Sequence, residues 1–166
     1  MMLDFLRRVL TRDLTALRKE LSAYAKEEVL WTCPPGIPNS AGTLVLHLTG
    51  NLQHFVGAQI GGTGYQRDRA AEFEDRDVPL RELEARIDRT IEAVNETLNE
   101  MSEEQLAQPY PIEFKGLRLP TGLFLLHLTT HLAYHLGQLD YHRRAVTGNS
   151  RGVGAQSMPE LFGTLP

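Results

Sequence analysis

Residues 121–146 read TGLFLLHLTTHLAYHLGQLDYHRRAV, an apolar stretch that no proline interrupts and in which histidine recurs at 127, 131, 135 and 142. Thr121 is expected to cap a helix here, and Gly148 with Asn149 marks its end. At about 100° per residue the four histidines fall on one stripe roughly 80° wide. His131 and His135 stand one turn apart, the spacing at which two imidazoles can reach one ion.

Upstream segments supply partners for this helix. Leu3, Leu6, Leu10, Leu14, Leu17, Leu21 and Tyr24 keep one helical face apolar, predicting a long first helix that runs to near Trp31. Pro34, Pro35 and Pro38 then remove backbone donors and force a loop. Ser40 is placed to cap a second helix, whose inward face carries Leu44, Leu48, Leu52, Phe55 and Gln59 before Gly61, Gly62 and Gly64 stop it. Residues 61–77 are glycine-led and charged, and read as a loop over the end of a bundle. Pro79 suits the first turn of a third helix bearing Leu80, Leu83, Ile87, Ile91, Val94, Leu98 and Met101. Ser102 to Gln105 has the capping-box form, and residues 109–120 read as an extended connection or small hairpin around Lys115-Gly116. The expected architecture is therefore all-α, with a bundle over residues 1–148 and a C-terminal tail over 149–166, either mobile or laid across it.

Composition narrows the function. A chain of 166 residues, 42% apolar and 23% charged, is one domain with a sizeable core. Its net charge of −4 and lack of a basic block argue against nucleic acid as partner. No run is long enough to cross a membrane, and the opening MMLDFLRRVLTRDL mixes charge with apolar residues unlike a signal peptide. A cytoplasmic protein is the expectation. Cys33 stands alone, so there is no disulfide framework and no cysteine-ligated zinc.

Six histidines in such a chain call for partners, because each imidazole buried unsatisfied among leucines costs on the order of 1–3 kcal/mol. If the second and fourth helices run antiparallel, a rise of about 1.5 Å per residue brings His47 level with His131 and His135. His127 and His142 lie about a turn or more to either side and are expected in packing or at the rim. His54 is roughly 10 Å along the helix from His47, too far for the same ion, and is placed to line a pocket. The segment from His131 to His135 lacks the glutamate that follows the first histidine of a zincin, and no Glu-x-x-His supports a di-iron bundle. A three-histidine site with an open position remains.

The strings LHLTGN (46–51) and HLAYHLGQ (131–138) resemble those of the DinB/YfiT-like family, with similarity spanning all four helices. The residues Arg67-Asp68-Arg69 and Glu72-Phe73 resemble one branch of it. The departures are Tyr134 and Leu136, where the family often has histidine and arginine. The resemblance implies a four-helix bundle of up-down-down-up order, a divalent ion on His47, His131 and His135, and a homodimer. It also implies a transferase or isomerase in which a low-molecular-weight thiol is activated at the ion. Alternatives are a metal-dependent hydrolase of a small substrate, or a non-catalytic dimeric module that binds metal or a small molecule. Zinc is the first expectation for the ion, and nickel, iron or manganese also accept imidazole.

Asn51 and Gln138, each close to one turn from a histidine, are placed to orient an imidazole or touch a ligand, as is His54. Gly137 is expected to let a neighbouring helix approach, and Tyr134 and Tyr141 are placed to donate to a developing charge, although aromatics on a bundle helix more often pack in the core. Arg67, Arg69 and Arg76 are expected in a solvated loop, where they would draw an anionic cosubstrate. Cys33 is expected to be inert.

Overall fold

The N-terminal leucine ladder forms α1 (Met2–Ser22), in which Leu3, Leu6, Leu10, Leu14, Leu17 and Leu21 are all buried. A computed structural model supplies these coordinates and describes residues 1–162. The helix ends at Ser22, not near Trp31, and the chain re-forms as a 3-10 turn over Glu27–Trp31. Continued straight, it would carry Leu30 away from the core. The break folds Leu30 back into full burial and sets Trp31 against α2 (Ala41–Leu52).

Ser40 caps α2 as expected, its side chain accepting the Thr43 N–H at 3.1 Å. Every residue of α2 is buried, because α2 packs on α4 (Leu80–Glu100), on α5 (Thr121–Thr147) and on a short α3 (Arg69–Glu74). Close approach is possible at Gly42, where a Cβ would lie 2.6 Å from the Trp31 ring. Beyond Leu52 the helix widens into a π turn over Gln53–Ala58, a geometry that recurs at functional sites. The segment read as a loop thus contains α3, which Asp68 caps by accepting the Ala71 N–H at 3.0 Å.

Helix α1 packs on α4 and α5, and α2 packs on the same two. Contacts at Arg7–Asn95, Arg18–Asp88 and Ser22–Glu84 make α1 and α4 antiparallel. Helices α2 and α5 are antiparallel as well: Leu44 shares a cavity with Tyr141 and Ala145, while Phe55, past the other end of α2, packs on Phe124. The described residues contain no strand; Pro109 pairs with Pro120 and Phe114 with Leu117 in a tight hairpin turned by Lys115 and Gly116, both at positive φ. Its Tyr110 is fully buried and donates to the Phe55 carbonyl at 2.7 Å, closing that end of the bundle. No described helix is long and apolar enough to cross a membrane.

Thr121 does not cap α5. Pro120 holds the cap position, and Thr121 lies inside the first turn, donating its hydroxyl to the Gln108 carbonyl at 2.9 Å. Gly148, left-handed at φ 69°, ends the helix.

Past α5 the described part of the tail lies on the bundle and ends in a short α6 (Pro159–Phe162); residues 163–166 lie outside the described residues. Arg143, fully buried, bonds the carboxylates of Glu20 and Asp140 and the carbonyls of Asn149 and Arg151. Truncating that guanidinium would leave Glu20 buried without its cation. Arg143→Ala should lower unfolding free energy by about 3–5 kcal/mol, read by urea denaturation, and expose residues 149–151 to limited proteolysis.

Candidate metal centre

His47 projects from α2, and His131 and His135 project one turn apart from α5. The three meet. Their ring centroids are 5.1 Å (His47–His131), 5.4 Å (His47–His135) and 4.6 Å (His131–His135) apart. One nitrogen from each lies within 4.8 Å of the others, and the Nε2 atoms of His47 and His131 are 3.3 Å apart. An ion bound tetrahedrally at about 2.0–2.1 Å holds its nitrogens roughly 3.3 Å apart, so this pair already matches.

Hydrogen bonds on the outer nitrogens show which lone pairs face inward. His47 Nδ1 lies 3.0 Å from Glu72 Oε2, and an ionised carboxylate only accepts, so His47 donates from Nδ1 and keeps Nε2 as the acceptor. His135 Nδ1 donates to Gln138 Oε1 at 2.7 Å, which leaves its Nε2 free in the same way. Neutral imidazoles with Nδ1 engaged and Nε2 bare are the form in which histidine binds a divalent ion. The donor set fits a metal.

The sequence offers Glu72 only through the family resemblance and not as a partner of His47, because it lies in a stretch that reads as a loop. The signal was present: Asp68 followed by Arg69-Ala70-Ala71-Glu72 is a capping residue followed by an acid in the first turn. Arg67 is not a solvated cation but grips both oxygens of Glu72, at 2.6 and 2.8 Å, and lies over the Phe55 ring. Arg69 lies over Phe73, whose ring is 5.1 Å from that of His47. Arg76 turns back onto the carbonyls of Phe73 and Asp75.

Burial works to raise the Glu72 carboxyl, but the bonds from His47 and Arg67 outweigh it and hold it below the usual carboxylate range. Burial, helped by the neighbouring His135, His47 and His127, pushes His131 down to about 4. His135 is lowered too, chiefly by burial. His131 and His135 retain partial exposure, so the cluster is reachable from solvent.

Of the other expected residues, Gln138 reaches the site directly through His135. Asn51 is buried one turn beyond His47, and its Oδ1 has no hydrogen-bond partner among the described residues. His54 sits in the π turn outside the cluster, its ring against Phe55, with burial lowering its pKa. His127 is exposed between Phe124 and His131, whereas His142 is buried and held by the Tyr24 hydroxyl and the Thr32 carbonyl, both at 2.8 Å. Tyr134 and Tyr141 are exposed, not core, at 65% and 76%. Gly137 faces open space, since nothing lies within 4 Å of where its Cβ would be, so no helix approaches there. Cys33 is exposed in the proline loop.

Residues 9–139, which include all three histidines of the cluster, match the profile of the DinB superfamily. The chain belongs to that superfamily. Neither a curated protein nor a solved structure matches this DinB superfamily chain.

A histidine whose folded pKa is depressed costs stability once the unfolded chain takes up the proton that the folded chain refuses. The metal-free protein should therefore weaken as pH falls from about 6.5 towards 4, the window set by His131, with no such loss between pH 8 and 7. Urea midpoints measured across that range check this, and His131→Phe should flatten the slope.

Proposed function

We propose that this DinB superfamily chain is a divalent-metal-dependent enzyme that works in the cytoplasm as a transferase or isomerase on a low-molecular-weight thiol. The convergence of His47, His131 and His135, with the Nδ1 atoms of His47 and His135 engaged from outside and the rings of His131 and His135 partly open to solvent, carries the reading. Zinc is the first candidate ion, with nickel, iron and manganese also suited to imidazole. When bound, such an ion supplies Lewis acidity that favours the deprotonated form of a thiol at neutral pH.

The chain's own residues fit a nucleophile brought in by the cosubstrate. Cys33, the single cysteine, is exposed in the loop before α2 and is not part of the cluster. Water activation for hydrolysis is helped by a general base beside the ion, a role that a free carboxylate could fill. Glu72, the carboxylate bonded to His47, already serves His47 and Arg67, which favours the thiol reading over hydrolysis. Gln138 holds the His135 ring from outside, and Asn51 offers a buried acceptor one turn from His47.

The up-down-down-up order is part of the same proposal, supported by the antiparallel pairs α1–α4 and α2–α5. So is the homodimer: Leu123, Leu126, Tyr134 and Tyr141 leave an exposed apolar stripe along α5.

Elemental analysis of the purified protein should find about one divalent ion per chain, and a screen of several cellular thiols with electrophilic acceptors should reveal metal-dependent transfer. The double variant His47→Ala with His135→Ala should lose both. Transfer that persists in that variant would overturn the enzyme reading. Light scattering should give twice the chain mass, and Leu126→Glu with Tyr134→Glu should return it to the monomer.

A further inference from the structure

Glu72 forms a salt-bridged relay to the cluster whose purpose packing alone does not explain. It sits on a six-residue helix, α3, is 5% exposed, and faces the closely packed side of α2. Burying a carboxylate is costly, and here the cost is met by a fork of two bonds from Arg67 and one from His47. The backbone of α2 is shaped to receive it. A Cβ on residue 50 would lie 2.9 Å from the Glu72 carboxyl carbon and would run into Oε1, so only glycine leaves the space. Gly50 stands three residues after His47, so the same helical turn presents the ligand and makes room for the acid beside it.

We infer that Glu72 is a positioning residue for the metal centre, which fixes the Nδ1–H tautomer and ring orientation of His47 so that Nε2 faces His131 and His135, with Arg67 and Gly50 fixing Glu72. This rests on the metal-dependent reading of the site. The physical basis is that an imidazole offers one bare nitrogen when neutral, and a full negative charge on the far side decides which nitrogen that is. Gln138, a neutral acceptor, does the same for His135 with less force. The relay also ties the stretch from Arg67 to Phe73 to the centre, since the bond from Glu72 to His47 adds to the packing of α3 on α2.

Cobalt(II) binding to the purified apo protein, followed by its d–d absorption in competition with a chelator, tests the inference together with the histidine nitrogen resonances of the apo form. In the wild type, His47 should show a protonated Nδ1 and a bare Nε2. Glu72→Gln should bind cobalt about 10–100-fold more weakly and raise the fraction of His47 with Nε2 protonated, because the amide can donate to Nδ1. Gly50→Ala removes no polar group but displaces Glu72, and should weaken cobalt binding to a similar extent. Leu98→Ala, a core truncation on α4, controls for general loss of stability and should leave cobalt affinity and the His47 tautomer unchanged. Wild-type cobalt affinity in Glu72→Gln, or an equal loss in Leu98→Ala, would overturn the positioning role while the metal site stands. Absence of cobalt binding in the wild type would overturn both.

Discussion

A helix enclosed on every side has no solvent-facing stripe, so each polar group on it must find its partner inside the protein or go without. Helix α2 is under that constraint along its whole length. Thr49 answers it by bonding back to the Val45 carbonyl, Thr43 by meeting the Ser40 cap, and His47 through the Glu72 carboxylate and the imidazoles of α5. The cluster follows from the same enclosure. A ring that cannot reach water is held by neighbours on both sides, and the neighbours that α5 supplies are two more imidazoles. Because burial disfavours protonating His131 and His135, these two rings turn towards His47 with lone pairs that a cation can share.

The helical skeleton was legible because its signal is long and periodic. The leucine ladder of α1 and the repeating apolar positions of α4 each persist for about six turns, and where the ladder names Leu10, Leu14 or Leu83 the structure buries them fully. What failed were the ends. Tyr24 extends the apolar period beyond Ser22, yet the chain breaks there because Leu30 and Trp31 serve the core better folded back than carried onward. Thr121 carries a capping side chain, but the Gln108 carbonyl claims its hydroxyl. Long-range contacts decided both cases, and local pattern contains no record of them.

In the site, His47, His131 and His135 could be paired from residue spacing and helix rise, since both depend only on helical geometry. Glu72 could not, because α3 is too short to show a period and its charge made it look like surface. Arg67 misled for the same reason, whereas Arg69 and Arg76 are exposed as expected: from sequence a guanidinium in a charged segment looks solvated, and only the fold shows that Arg67 is spent on Glu72. Tyr134 and Tyr141 erred the other way, as aromatics on a bundle helix that face outward. Helix α5 carries apolar residues on more than one face, so pattern alone did not say which face the other helices cover.

The grip of Arg143 on the tail has a consequence for sequence drift. Its guanidinium holds the carbonyl oxygens of Asn149 and Arg151, and Arg144 that of Ser150, so the contact is made to groups that all twenty amino acids carry. The identities at 150 and 151 are thereby left largely free to diverge, whereas the two arginines, the path of the chain and Asn149, whose Oδ1 accepts the Arg151 N–H at 3.0 Å, are not.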